Sequence, residues 1–257
     1  MSSSAEMQLA YRVGNAPIHH FPFPHIYVEK VFPDDFYRRL REHLPPKECF
    51  RTLKALQRVT GDYPETRLVL PLEPERIAEL AEPFRSFWQE TAEWLLGGQF
   101  AALVLSKFAS YLDERFGSAR DKEFLNEALL VQDYSTYSLP PHTDTPAKVL
   151  SFLFYLPQDD ALAHLGTSIY LPKDRRHVSD GTTHHKPEYF DRLVTMPFVP
   201  NSLFAFLKTP NAFHGVEPVV ERDVRRDLLL YDIKVRGEPS AVASPPKQVA
   251  ANARFSF

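Results

Sequence analysis

The 257-residue chain is predicted to be an α+β protein, helical in its first part and a jelly roll or antiparallel sandwich in its second. Three observations carry this. Apolar residues repeat at three-and-four spacing up to about residue 116. From Phe124 onward, short β-branched and aromatic runs alternate with Pro, Gly, Asn and Asp. No helical stretch separates those runs, so the strands pair with one another and the helices pack on one face of the β unit.

Residues 1–25 are polar, then Pro- and His-rich, and are expected to form an N-terminal extension whose first few residues are disordered. Phe32 to Leu44 predicts a helix: Phe36, Leu40 and Leu44 recur at spacing four, and Pro45-Pro46 ends it. A short strand is expected at Arg67 to Leu70. The stripe Ile77, Leu80, Phe84, Phe87, Trp88, Thr91, Leu95 predicts the next helix, with Pro83 kinking it or marking a later start. A further stripe runs from Phe100 to Phe116, stopped by Gly117. Seven or eight strands follow, ending with RRDLLLYDIKV. The expected organisation is one domain over 26–236, in which 26–123 is mainly helical support and 124–236 the β core, with a Pro/Ala/Ser-rich tail over 237–257.

Composition narrows the function classes. A formal charge of −3 and a pI near 6.4 argue against a nucleic-acid partner. Apolar runs are too short to span a bilayer, and no signal-peptide core is present. A single cysteine, Cys49, allows no intrachain disulfide. A cytoplasmic location is expected.

The segment Leu139-Pro-Pro-His-Thr-Asp-Thr is the chemically distinctive one. Residues two apart on a strand share a face, so His142 and Asp144 can converge on one cation. His214, 70 residues after Asp144 and at the start of another β-like run, is the natural third ligand, and Gly215 beside it permits close backbone approach. Two histidines and one carboxylate leave three coordination positions open, the arrangement of non-haem Fe(II) oxygenases. Structural zinc sites are more often closed by four ligands, commonly with cysteine. Eleven residues after His214 comes Arg225, at the head of an apolar strand. A buried arginine there calls for an anion, and its planar fork suits a carboxylate. Arg225, Asp227, Leu229 and Tyr231 share one face of that strand, taken here as the pocket face in preference to that of Arg226.

With His142-x-Asp144, His214 and Arg225 in this order, the stretch from about Leu130 to Ile233 resembles the 2-oxoglutarate/Fe(II)-dependent dioxygenases, in particular their prolyl-4-hydroxylase-like branch. The resemblance implies a double-stranded β-helix and assigns Arg225 to the distal carboxylate of 2-oxoglutarate. Tyr155 would meet the same carboxylate, and Tyr134 would be another co-substrate contact. Two departures stand out: Asp227 replaces a small hydroxyl residue, and Gly166 stands alone where the family has a pair. The implied cofactors are Fe(II), 2-oxoglutarate and O2. The implied reaction couples decarboxylation of 2-oxoglutarate, to succinate and CO2, to hydroxylation of an unactivated C–H bond, on a small molecule. Because Asp144 is present, halogenation is not expected. A peptidyl hydroxylase and a cupin-like metal protein without oxygenase activity are the alternatives. Desaturation, cyclisation and epimerisation use the same kind of site, so the outcome is left open, as are the substrate and the oligomeric state.

The irregular stretch 172–191, with Lys173, Arg175, Arg176, His177, His184 and His185, reads as a long inter-strand loop bordering the substrate entrance rather than a second metal site.

Overall fold

A computed structural model describes residues 4–59, 63–117, 121–181 and 183–237. The expectations for residues 1–3 and for the tail beyond Gly237 lie outside these. The N-terminal segment is more ordered than its polar composition suggested. Helix α1, Ser4–Asn15, buries Ala5, Leu9 and Val13 against α5, Gln99–Lys107. Strand β1, His25–Glu29, then joins the large sheet at its edge.

Helix α2 spans Asp34–Glu42, and its two N-terminal aspartates favour the positive end of the helix dipole. The predicted long helix is two helices. Pro83 lacks an N–H and cannot sit in a helix interior, so α3, Pro74–Ala78, stops before it and α4, Phe84–Leu95, starts after it. Helix α5 and helix α6, Ala109–Phe116, likewise divide the second stripe.

Among the described residues, eleven strands form two sheets that make a double-stranded β-helix. The larger holds β1, β2 (Arg51–Thr52), β3 (Arg67–Pro71), β4 (Phe124–Tyr134), β6 (Lys148–Tyr155), β9 (Ser202–Leu207) and β11 (Arg225–Val235), in the order β1-β9-β6-β11-β4-β3-β2. The smaller holds β5 (Leu139–His142), β7 (Thr167–Pro172), β8 (Phe190–Met196) and β10 (His214–Val216), in the order β5-β10-β7-β8. All pairings are antiparallel; β4 and β11 match along their whole lengths, from Arg225 opposite Tyr134 to Val235 opposite Phe124.

The pleat of the large sheet separates two cores. Leu229, Tyr231 and Ile233 of β11 and Leu150, Phe152 and Phe154 of β6 face the helices, where they meet Trp88, Phe100 and Val104. Phe100, Phe152 and Tyr231 pack edge to face, a geometry favoured by the ring quadrupoles. Leu228 and Tyr155 face the other way, towards Ile169, Met196 and Phe198 between the sheets. Strand β11 is therefore buried on both faces, and its inward side carries Arg226, Leu228, Leu230 and Asp232.

Candidate metal centre and co-substrate pocket

His142 ends β5 and His214 begins β10, and the two are direct cross-strand partners. Their rings lie 4.3 Å apart between centroids. One side-chain ligand atom from each of His142, Asp144 and His214 lies within 4.8 Å of the others, and no other such group occurs among the described residues. Close approach of β5 and β10 depends on Gly215, where a Cβ would sit 2.4 Å from the carbonyl oxygen of Leu139.

Each histidine is held by a hydrogen bond from one ring nitrogen that leaves the other available. His142 donates from Nδ1 to the Pro140 carbonyl at 2.9 Å, and His214 from Nδ1 to the Ala212 carbonyl at 3.0 Å. This fixes both tautomers and turns the Nε2 lone pairs towards a common point, as metal-ligating histidines require. Burial holds both imidazoles below their ordinary pKa, and for His142 the neighbouring His214 adds to the effect. Burial alone would raise Asp144, but the Lys148 ammonium beside it opposes this, and the carboxyl is held below its usual range. The Ser151 hydroxyl donates to Asp144 Oδ2 at 2.7 Å. Two neutral imidazoles and a carboxylate suit a divalent transition metal.

Deeper between the sheets lies a second polar cluster. Arg226 is wholly buried and donates from Nη1 to Asp133 Oδ2 at 2.8 Å. Its guanidinium stands over the Phe198 ring, which also packs against Tyr155. Asp133 accepts two further bonds from Arg67, at 2.6 and 2.8 Å. The Nε and Nη2 groups of Arg226 and the hydroxyl of Thr167 are buried with no partner among the described residues. An unpaired guanidinium edge is costly to bury, and it fits an anion such as a carboxylate. The Tyr155 hydroxyl accepts the Thr167 N–H at 3.1 Å beside this edge, and burial pushes its pKa up to about 12.

The strand-face reading of β11 is thereby reversed. Arg225 lies on the outward face with its side chain 43% exposed, and its Nε contacts Asp227 Oδ1 at 3.0 Å. The i,i+2 spacing of Arg225 and Asp227 pairs the two with each other, so Arg225 does not reach the interior. Tyr134, opposite Arg225, is on that outward side as well; it donates to Gln132 Oε1 and lies under Lys47. The structure brings His142, Asp144, His214 and Tyr155 into the space between the sheets. It leaves Arg225 and Tyr134 outside and adds Arg226, Asp133 and Arg67.

The 172–191 loop packs against the metal-binding segment. His185 N–H donates to the Pro141 carbonyl at 2.8 Å, and Ser179 O accepts from the Thr143 hydroxyl at 3.4 Å. A Cβ on Gly181 would lie 1.9 Å from the Asp144 carbonyl oxygen. The His184 ring stands edge-on to His142, 5.0 Å between centroids. Of the loop's basic residues, Lys173 binds the Glu188 carbonyl and Arg176 pairs with Asp174.

A double-stranded β-helix carrying a two-histidine, one-carboxylate cluster is the class that fold and site define. In particular, the chain has the fold of solved 2-oxoglutarate/Fe(II)-dependent oxygenases. It superposes on a prolyl hydroxylase from Trichoplax adhaerens, solved with a hypoxia-inducible-factor degradation-domain peptide, with TM-score 0.54 and 12% identity over 95% of this chain and 99% of that one. It also superposes on the epimerase SnoN from nogalamycin biosynthesis, solved with Fe3+, α-ketoglutarate and a nogalamycin compound, with TM-score 0.51 and 16% identity over 98% and 94%. No family model matches the sequence, and no curated protein does. Among the described residues no helix is long and apolar enough to cross a membrane.

Proposed function

We propose that the protein is an Fe(II)- and 2-oxoglutarate-dependent dioxygenase that hydroxylates a small molecule. The observation that carries this reading is the pairing of two features inside one barrel. A neutral-His, neutral-His, carboxylate cluster has both Nε2 atoms free, and a buried arginine has an unsatisfied edge beside Tyr155. His142, Asp144 and His214 would hold iron, and Arg226 with Tyr155 would take the distal carboxylate of the keto acid. When bound, iron with 2-oxoglutarate would supply the activation of O2, which is the oxidant for attack on a C–H bond.

The chain's own residues do the orienting. The Pro140 and Ala212 carbonyls hold the two rings, Ser151 holds the carboxylate, and Asp133 holds Arg226 at one nitrogen while leaving its other edge available. Phe198 and Tyr155 wall the anion pocket from water, which strengthens the ion pair made there. The loop pinned over Pro141 and Thr143 favours a small enclosed substrate over an open peptide groove.

The test is anaerobic addition of Fe(II) and 2-oxoglutarate to the purified protein. A weak visible charge-transfer band is expected, absent in His142→Ala, and succinate should form once air is admitted with a turned-over substrate. A folded protein that gives no band overturns the proposal. Turnover of peptides but not of small molecules overturns the substrate class alone.

A further inference from the structure

The metal carboxylate is contacted by a cation as well as by a hydroxyl. Lys148, at the head of β6, places its ammonium 3.3 Å from Asp144 Oδ1, while Ser151 on the same strand donates to Oδ2. The same ammonium lies 3.0 Å from Oδ2 of Asp232, a buried residue of β11 directly opposite Ser151. Glu127, opposite Asp232 on β4, is paired with Lys234 and Arg58 and acts on Lys148 as a further nearby anion, weaker than the two aspartates.

A cation in this position is not needed to orient the ligand. Both histidines are oriented by neutral carbonyls, and Ser151 alone could do so for Asp144. An ammonium touching the carboxylate that is to receive a dication instead opposes binding, because like charges at such range repel strongly away from bulk water. It also draws electron density from the carboxylate and lowers its donor strength.

We propose that Lys148 is a positioning residue that sets how strongly Asp144 binds the metal, and that Asp232 regulates it by drawing the ammonium away from Asp144. The inference rests on reading His142, Asp144 and His214 as a metal site. It gives the two partners of one ion pair opposite effects. Loss of the Lys148 cation removes the repulsion and leaves Asp232 as an additional nearby anion, so the metal binds more tightly. Loss of the Asp232 charge frees Lys148 to pair wholly with Asp144 and compete with the metal. Residues that merely support the fold would both weaken binding when replaced.

Co(II) is the probe, because its visible absorption reports both occupancy and donor strength without turnover. Lys148→Met should bind Co(II) about tenfold or more tightly, with shifted visible bands, and Asp232→Asn about tenfold or more weakly. Lys148→Arg, which keeps the charge, should stay close to the wild type. Lys148→Gln replaces the methionine variant if that one does not fold. Changes of the same sign in the two partners, or no change in either, overturn the proposal while His142→Ala still abolishes binding. If the wild type binds no Co(II), or His142→Ala binds it equally well, the metal-site reading fails instead.

Discussion

Replacing Arg226 with methionine removes the guanidinium edge on which the co-substrate assignment depends. In the wild type one nitrogen is committed to Asp133, while Nε and Nη2 remain for a ligand. A hydrogen bond between charged groups contributes about 1.5–3 kcal/mol, so losing two costs about 3–6 kcal/mol, or ~10²–10⁴ in affinity. The fold should tolerate the change. Asp133 keeps both bonds from Arg67, so no buried charge is stranded, and methionine fills similar space beside Phe198. The assay is calorimetric titration of 2-oxoglutarate into Co(II)-loaded protein without oxygen, with Arg225→Ala in parallel. Arg225→Ala should leave affinity unchanged, because its side chain is turned outward and paired with Asp227. Normal 2-oxoglutarate binding by Arg226→Met would remove Arg226 from the co-substrate pocket, and failure of Arg225→Ala in its place would put Arg225 there.

Three further outcomes are expected. Gly215→Ala forces β5 and β10 apart, since its Cβ would meet the Leu139 carbonyl; melting and Co(II) titration should show about 1–3 kcal/mol lost and weaker metal binding. Tyr155→Phe should weaken 2-oxoglutarate binding by roughly tenfold, in line with one lost hydrogen bond to a charged group, while Tyr134→Phe leaves it unchanged in the same titration. Lys208, whose ammonium donates to the Thr143 hydroxyl at 2.9 Å, is pushed by burial down to about 8. An unfolded lysine keeps its proton up to about pH 10.4, so from pH 8 to 10.4 the unfolded chain binds the extra proton and stability rises with pH; below 8 the burial penalty is constant. Lys208→Met removes this term, so the gap in melting temperature between variant and wild type should change from pH 8 to 10 and stay flat from 6 to 7.5.

The triad and most elements were legible in the sequence because their signals are local. Ligand type and spacing mark His142 and Asp144, Gly215 marks the close approach at His214, and the stripes of α4 and α5 mark their buried faces. The face of β11 was not legible. A strand buried on both sides shows no polar–apolar alternation, so two adjacent arginines cannot be told apart by pattern. A usable signal did exist: Asp227 shares a face with Arg225 and neutralises it, which leaves Arg226 as the arginine in need of an anion. Helix α1 was missed although Ala5, Leu9 and Val13 recur at spacing four, because polar residues dominate the segment around them. The packing of His184 against His142 depends on a long loop folding back, and no local pattern encodes that.

The near-contact of β5 and β10 at Gly215 has a thermodynamic side. The ligands come from two segments far apart in sequence, His142 at the end of β5 with Asp144 just beyond it and His214 at the start of β10, while Ser151 and Lys148 tie Asp144 to the larger sheet. A bound cation therefore acts as a reversible cross-link, closing a long loop of chain and clamping the two sheets at one rim. At a hundred times its dissociation constant such a ligand adds about 2.7 kcal/mol to folding stability. Metal supply would then govern how long the molecule resists unfolding and proteolysis, independently of any turnover.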